Sequence, residues 1–292
     1  MSPALHYLAG QFTLLKLNIT IQFQRDTELP SYKGSMLHGW FGHALKQVDE
    51  HAFFVCYGEH NNQQPKPYLI CPSGDHKQHW KKGELYHFEL ALFGQATKLI
   101  DQVLLALKRG ESLGFGSQRT PFKILSVASC TPTGLKAGIL EYTLLDFLST
   151  AQAETASIEQ EMALNLLTPL RIKSQNSVCR HGIDSLDLLI KQIQRRLVQL
   201  SEFWVTDNAE LFDDFYQQSP IIRQAKITNH CYFEDWERYS FKTERLTPFG
   251  GLKGQLSLLG DLAPLLSLLQ IGELLHIGGK TTFGLGKYQL IR

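Results

Sequence analysis

The chain has 292 residues, 43% of them hydrophobic, with a formal net charge of +1; that is apolar material for one large or two ordinary domains and no global field for a polyanion. Five scattered cysteines (Cys56, Cys71, Cys130, Cys179, Cys231) form no CxxC pair, which argues against a zinc cage or a disulfide framework. With no basic-then-apolar leader and no apolar run long enough to span a bilayer, the expectation is a cytoplasmic protein with no membrane association and no cofactor.

In chain order, Phe12 to Gln24 alternates apolar and polar residues and predicts a strand. Lys33 to Val48 predicts a helix whose broad apolar face is Met36, Leu37, Trp40, Phe41, Ala44, Leu45 and Val48, despite Gly34, Gly39 and Gly42. His38 and His43 are five apart and fall on different parts of that helix, so they do not form the i,i+4 pair that binds zinc. His43 and Lys46 are three apart and face together. An imidazole beside an ammonium can act as general base and charge stabiliser, although a solvated polar face explains the pair equally.

The stretch His51 to His79 is polar and histidine-rich, with one apolar knot at Tyr68, Leu69 and Ile70, and is read as a long excursion. Its histidines His60, His76 and His79 show no metal-binding spacing. A strand (His87 to Gly94), a helix (Gln95 to Lys108), a glycine loop (Gly110 to Gly116) and a second strand (Pro121 to Val127) follow. Thr131 to Ala137 reads as the junction of two halves, 1–132 and 133–292, with Ile139 to Leu148 opening the second half. Met162 to Lys173 predicts a strand interrupted at Thr168 and Pro169, with Arg171 and Lys173 on one face. Asp184 to Phe203 is the clearest helix, and Arg195 and Arg196 near its end suit its dipole. Trp236 to Arg245, with Arg238 and Arg245, mixes aromatic and basic residues as nucleic-acid surfaces do, and equally as an amphipathic strand does.

The C-terminal stretch repeats the earlier order. Leu252 to Leu259 predicts a strand, Asp261 an N-cap, and a leucine-rich helix with Pro264 in its first turn runs to His276. A loop with Gly278, Gly279, Lys280, Thr281, Thr282, Gly284 and Gly286 then enters a strand, Lys287 to Ile291. Glycines admit close approach of an anion to the backbone, and Lys280 and Lys287 can meet phosphates, although a simple reversing turn has the same composition. A nucleotide P-loop is excluded, because Leu274 occupies the position of its first glycine and the loop leaves a helix rather than entering one. Strand, helix, glycine loop and strand, given twice, predict a duplicated α+β unit with helices on one face of an antiparallel sheet.

The segments LPSYKGSMLHGWFGHALK (29–46), LALFG (90–94), LGFGSQRTPF (113–122), LTPLRIK (167–173), WERYS (236–240), FGGLKG (249–254) and GELLHIGGKTTFGLGKY (272–288) resemble, in this order, the RAMP-superfamily endoribonucleases that process CRISPR precursor transcripts. The resemblance covers nearly the whole chain. It implies two tandem ferredoxin-like βαββαβ domains and a metal-independent cut by the ribose 2′-OH, giving a 2′,3′-cyclic phosphate and a 5′-OH. It implies His43 or His38 as the base, with Lys46 and Tyr32 assisting. It also implies RNA contacts from Arg171, Lys173, Arg238, Arg245, Lys280, Thr281 and Lys287 and the loop glycines Gly278, Gly279, Gly284 and Gly286. The implied partner is CRISPR repeat RNA, with a CRISPR effector complex downstream and a monomeric or homodimeric enzyme. The alternative within the same resemblance is a non-catalytic RNA-binding RAMP subunit.

Overall fold

A computed structural model describes residues 1–58, 64–153, 161–220, 222, 225–240 and 245–292. They pack as two compact units, one of residues 10–147 and 200–207, the other of residues 1–9, 148–199 and 208–292. Residues 133–147, assigned to the second half by sequence, therefore pack with the first unit. The N-terminal helix α1 (Pro3–Gln11) gives its first seven residues to the second unit.

In the first unit, β1 (Thr13–Phe23) is followed by a two-residue strand, β2 (Thr27–Glu28), and then by α2 (Gly34–Val48) and α3 (Glu50–Tyr57). Strand β3 (Tyr68–Pro72), a short β4 (His79–Trp80) and β5 (Leu85–Phe93) lead through a 3-10 turn, Gly94–Leu99, into α4 (Ile100–Leu113). Strands β6 (Phe122–Thr131), β7 (Gly134–Ala137) and β8 (Tyr142–Thr143) complete it. The sheet order is β3-β5-β1-β6-β7, antiparallel throughout. Leu15, Leu17, Ile19, Ile21 and Phe23 of β1 point inward and pack with Leu37, Trp40, Phe41 and Leu45 of α2 and Val103 and Leu107 of α4. Two helical glycines serve this packing. A Cβ on Gly110 would lie 2.3 Å from the Trp40 ring, and one on Gly42 would lie 2.6 Å from the Tyr57 ring.

The second unit repeats the plan. The chain enters it along α5 (Leu144–Ala153) and continues with β9 (Glu161–Leu170), the ladder of β10 (Lys173–Ser174) with β11 (Ser177–Val178), α6 (Leu186–Trp204) and α7 (Ala209–Gln217). Strand β12 (Lys226–Glu234), the hairpin β13 (Glu237–Ser240) and β14 (Arg245–Pro248), and β15 (Gly251–Leu259) follow. A 3-10 turn (Ala263–Leu265), α8 (Leu266–Leu275), a second 3-10 turn (Thr281–Phe283) and β16 (Tyr288–Ile291) end the chain. The sheet order is β12-β15-β9-β16. With β1/β3/β5/β6 in the first unit and β9/β12/β15/β16 in the second, each unit has four strands in the order second-third-first-fourth with two crossover helices. This is the tandem ferredoxin-like architecture.

Several expected elements differ. The 68–70 knot is no excursion: β3 is buried along its whole length as an edge of the first sheet. Residues 131–137 form the β6–β7 turn and strand rather than a linker. The expected strand 139–148 is β8 followed by helix α5, and the strand that opens the second unit is β9. Helix α4 runs through Gly110 to Leu113, so the loop after it begins only at Gly114. Asp261 is not the N-cap, since the 3-10 turn starts behind Leu262. Arg196, expected to serve its own helix, donates from Nε to the Leu275 carbonyl at the end of α8, 3.4 Å away. No helix among the described residues is long and apolar enough to cross a membrane.

Candidate functional site

Helix α2 carries the first group of candidates. Its buried face holds Leu37, Trp40, Phe41, Ala44 and Leu45, and at about 100° per residue His43 falls on the opposite side, so its ring is exposed. One turn on, the Gln47 side-chain nitrogen lies 3.2 Å from His43 Nε2, and the Gln47 carbonyl oxygen accepts from Arg109 Nε of α4 at 2.8 Å. Lys46 is exposed on the same side, its ammonium 5.5 Å from the centre of the Phe53 ring in α3.

His38 has a different setting. It is half-buried, its ring meeting Tyr57 edge-on at 4.9 Å and lying nearly parallel to Tyr68 at 6.1 Å, while its carbonyl accepts from the Tyr57 hydroxyl at 2.7 Å. Burial pushes both tyrosine hydroxyls far above the usual phenol range, so neither is a base near neutrality. Tyr32 lies in the bend before α2. From Gly34 to His43 the helix rises about 14 Å, so Tyr32 and His43 stand at opposite ends of that stretch. The structure thus joins His43 with Lys46 and separates both from Tyr32.

The flanks of Tyr32 are anchored by contacts that sequence spacing does not show. Lys33 has a fully buried side chain, with its ammonium 3.0 Å from Asp75 Oδ1 and 5.7 Å from the centres of the Trp80 and Tyr86 rings. Burial lowers the Lys33 pKa against the opposing pull of Asp75. Burial works against ionisation of Asp75 as well, yet hydrogen bonds from Ser73, Lys33 and the Lys77 amide outweigh it and hold the carboxyl below its ordinary range. Ser31 Oγ sits 3.3 Å from His76 Nδ1. The loop after β3 is therefore bound to the start of α2 at two points. His60 lies outside the described residues.

The second group surrounds the C-terminal glycine loop. Gly278 (φ 81°) lets the chain pass the Arg171 carbonyl, which a Cβ would approach to 2.5 Å, and Gly279 N–H donates to the same oxygen at 2.8 Å. Gly286 (φ 76°) lies against Ile277, where a Cβ would come within 1.9 Å of the carbonyl oxygen. Amides of Phe283, Gly284 and Gly286 donate to Lys280, Thr281 and Pro169 carbonyls. Thr168 Oγ1 donates to the Gly284 carbonyl and accepts from Lys287 N–H. Much of the loop's backbone is thus bound to the end of β9, and Thr281 is buried. The glycines set the loop's shape rather than form an open cradle of amides.

Side chains make the charged surface. Lys280 places its ammonium 4.0 Å from the centre of the Phe249 ring, which also packs on Phe283 and Trp236. Arg171 donates to the Gly250 carbonyl at 2.7 Å, and burial first, then the like charge of Arg180, lowers its pKa. Arg180 has its guanidinium carbon 4.1 Å from the centre of the Phe233 ring and pairs with Asp235 at 2.6 Å. Strand β9 ends at Leu170, so Arg171 and the exposed Lys173 do not share a strand face as expected. Lys287 is half-buried at the entry to β16. For Arg238 and Arg245 the described feature is backbone pairing, opposite Thr247 and Ser240; residues 241–244 lie outside the described residues. No three His, Cys, Asp or Glu side chains among the described residues are placed to hold a common metal ion.

Residues 164–288 match the family model described as CRISPR-associated endoribonuclease Cas6, and residues 12–52 and 55–148 match one described as an N-terminal domain. The first of these matches makes the C-terminal part of the chain similar to the Cas6 endoribonucleases. A protein of Archaeoglobus fulgidus described as uncharacterized is 22% identical over 96% of this chain and 98% of its own. Among solved structures, a Cas6 product complex superposes with a TM-score of 0.61 at 16% identity, covering 95% of this chain and 100% of that one. A Thermus thermophilus Cas6 gives 0.55 at 14% identity, covering 96% and 99%. A partial Cas6-RT-Cas1–Cas2 complex gives 0.64 at 18% identity over 96% of this chain but 46% of that one, so this chain spans about half the length of that relative. These likenesses establish the Cas6 fold.

Sequence reasoning missed Lys33, Gln47, Arg109 and Arg180. Gln47 stands four residues from His43, a spacing that places the two on neighbouring turns. Arg109 comes from a distant helix, and no local pattern announces it.

Proposed function

We propose that the protein is an endoribonuclease of the cytoplasm that binds CRISPR repeat RNA in precursor transcripts and cleaves it into guide RNAs without a metal ion. The observation that carries this reading is the match of residues 164–288 to the Cas6 endoribonuclease family, and the fold's likeness to a Cas6 described as a product complex supports it.

The geometry favours His43 over His38 as the base, because its ring is exposed beside Lys46 while His38 is packed among tyrosines. His43 takes the proton of the ribose 2′-OH as the 2′-oxygen bonds to the adjacent phosphorus. The bond from phosphorus to O5′ then breaks. The products are a 2′,3′-cyclic phosphate and a 5′-oxygen that takes up a proton to become a hydroxyl. Lys46 offsets the charge that gathers on the phosphorane oxygens. Arg171, Lys173, Lys280, Lys287 and the Arg238/Arg245 hairpin neutralise phosphates of the bound strand.

Single-turnover cleavage of repeat RNA in EDTA tests this. The expected result is one cut with a cyclic-phosphate end, and a His43→Ala rate about 10²–10⁴-fold slower with RNA affinity unchanged. Binding without any cut would make the protein a non-catalytic RNA-binding subunit. An unchanged rate in the variant would move the base elsewhere.

A further inference from the structure

The contacts of the exposed imidazole on α2 go beyond a polar helix face. Arg109 Nε can only donate a hydrogen bond, so the oxygen of the Gln47 side chain must face it, at 2.8 Å. That contact fixes which way the amide is turned. The other end of the amide, its NH₂, is therefore the group directed at His43 Nε2, 3.2 Å away. An amide NH₂ donates and does not accept. The nitrogen facing it must present a lone pair, which leaves the imidazole proton on Nδ1.

We infer that Gln47 and Arg109 are positioning residues that hold His43 as the Nδ1–H tautomer with its lone pair on Nε2, the form that can take a proton from a ribose hydroxyl. The inference rests on the reading of His43 as general base only for its effect on rate; the tautomer itself is a property of the free protein. Arg109 acts through Gln47 and touches no reacting atom. The Gln47–His43 bond is exposed and between neutral groups, so an incoming 2′-OH can take the amide's place on Nε2 without disturbing the Arg109–Gln47 contact. The ring is then already turned, and its proton already lies on the far nitrogen. A second consequence follows from the same directionality: a carboxylate at position 47 would accept instead of donate, and would demand a proton on Nε2.

The experiment uses the full chain labelled with ¹⁵N in histidine. In the unmodified protein the His43 ring nitrogens should show the signature of Nδ1–H with an unprotonated Nε2. In Gln47→Glu the proton should move to Nε2, and single-turnover cleavage should fall by on the order of tenfold to a thousandfold with RNA affinity nearly unchanged. Arg109→Ala should leave a mixture of tautomers and a smaller loss of rate, and Arg109→Lys, which also donates, should restore much of both. The inference is overturned if His43 carries its proton on Nε2 in the unmodified protein, or if Gln47→Glu leaves the signature unchanged. If the tautomer shifts as expected while cleavage is unaffected, the positioning holds and the assignment of His43 as base fails. If Gln47→Glu does not fold, Gln47→Ala with the same spectra decides, the expected result again being a mixture.

Discussion

The Lys33–Asp75 pair, a wholly buried ammonium side chain against a carboxylate 34% exposed, makes an asymmetric prediction. Coulomb's law at an effective dielectric constant of about 20 gives roughly 5 kcal/mol for unit charges at the observed 3.0 Å. Removing Asp75 forfeits this attraction and leaves an ammonium with a wholly buried side chain. The Ser31 carbonyl at 3.3 Å and the rings of Trp80 and Tyr86 still face that ammonium, and solvent screens the part-exposed Asp75, so Asp75→Ala should destabilise by about 3 kcal/mol at most, the low end for breaking a buried pair. Lys33→Met removes the charge together with its need for solvation and keeps the stem's volume. Its cost should stay within about 1 kcal/mol, and Lys33→Met in the Asp75→Ala background should recover most of the loss. Urea unfolding followed through tryptophan fluorescence in a Trp236→Phe background, where Trp40, Trp80 and Trp204 remain, reports the relevant unit rather than the whole chain. For Asp75→Ala alone the melting temperature should drop by roughly 6–10 °C. The reasoning fails if Lys33→Met is as damaging as Asp75→Ala, or if the double variant is worse than either single one.

The same carboxylate gives a pH dependence. Its folded pKa is depressed, so its contribution is complete above the unfolded value and is lost as pH falls through the folded one; on acidification below the ordinary carboxylate range the unmodified protein should lose stability more steeply than Asp75→Ala in acid titrations followed by tryptophan fluorescence. Gly286→Ala places a methyl within 1.9 Å of the Ile277 carbonyl oxygen at a left-handed φ, and should cost at least about 3 kcal/mol in urea unfolding. Arg180→Ala removes an exposed cation from the Phe233 platform and should lower the slope of log affinity for RNA against log salt by about 1, as read by filter binding across a salt series.

The tandem fold was legible wherever hydrophobic period and chain order carried it. β5, α4 and β6, and β15, α8 and β16, follow the repeated strand, helix, glycine loop and strand of the sequence. β3 was not legible, because Tyr68–Pro72 is buried at every position and lacks the alternation that marks a half-exposed strand. α5 was misread as a strand although its start carries a local signal: Thr143 N–H donates to Asp146 Oδ2, and Asp146 N–H donates to Thr143 Oγ1, the reciprocal pattern of a capping box. α3 likewise begins at Asp49, whose carboxylate accepts from Ala52 N–H. At the candidate site, His43 with Lys46 was readable from helical spacing. Gln47 lies within the same helical spacing, but Arg109 behind it and Asp75 beside Lys33 are distant in sequence, and only packing brings them in.

The glycine loop shows where residue type alone misleads. Its glycines match a phosphate cradle in composition, yet they stand where the chain crosses the Arg171 and Ile277 carbonyls, and the loop is fastened to the end of β9. Arg171 belongs to that fastening: its guanidinium supplies a charged donor to the buried Gly250 carbonyl. Truncating it removes that donor at a cost of about 1.5–3 kcal/mol, and loosens the turn beside Phe249 on which Lys280 rests. Lost RNA affinity in Arg171→Ala would therefore combine a missing phosphate contact with a displaced platform. Lys280→Ala separates the two, because Lys280 reaches the platform from above and its removal leaves the Arg171–Gly250 contact in place. We expect Lys280→Ala to weaken RNA binding and reduce its salt dependence with unfolding unchanged to within about 0.5 kcal/mol, whereas Arg171→Ala lowers stability and affinity together. Equal loss of stability in both variants would show that Lys280 is part of the fastening, and that the cation facing RNA lies elsewhere on this surface.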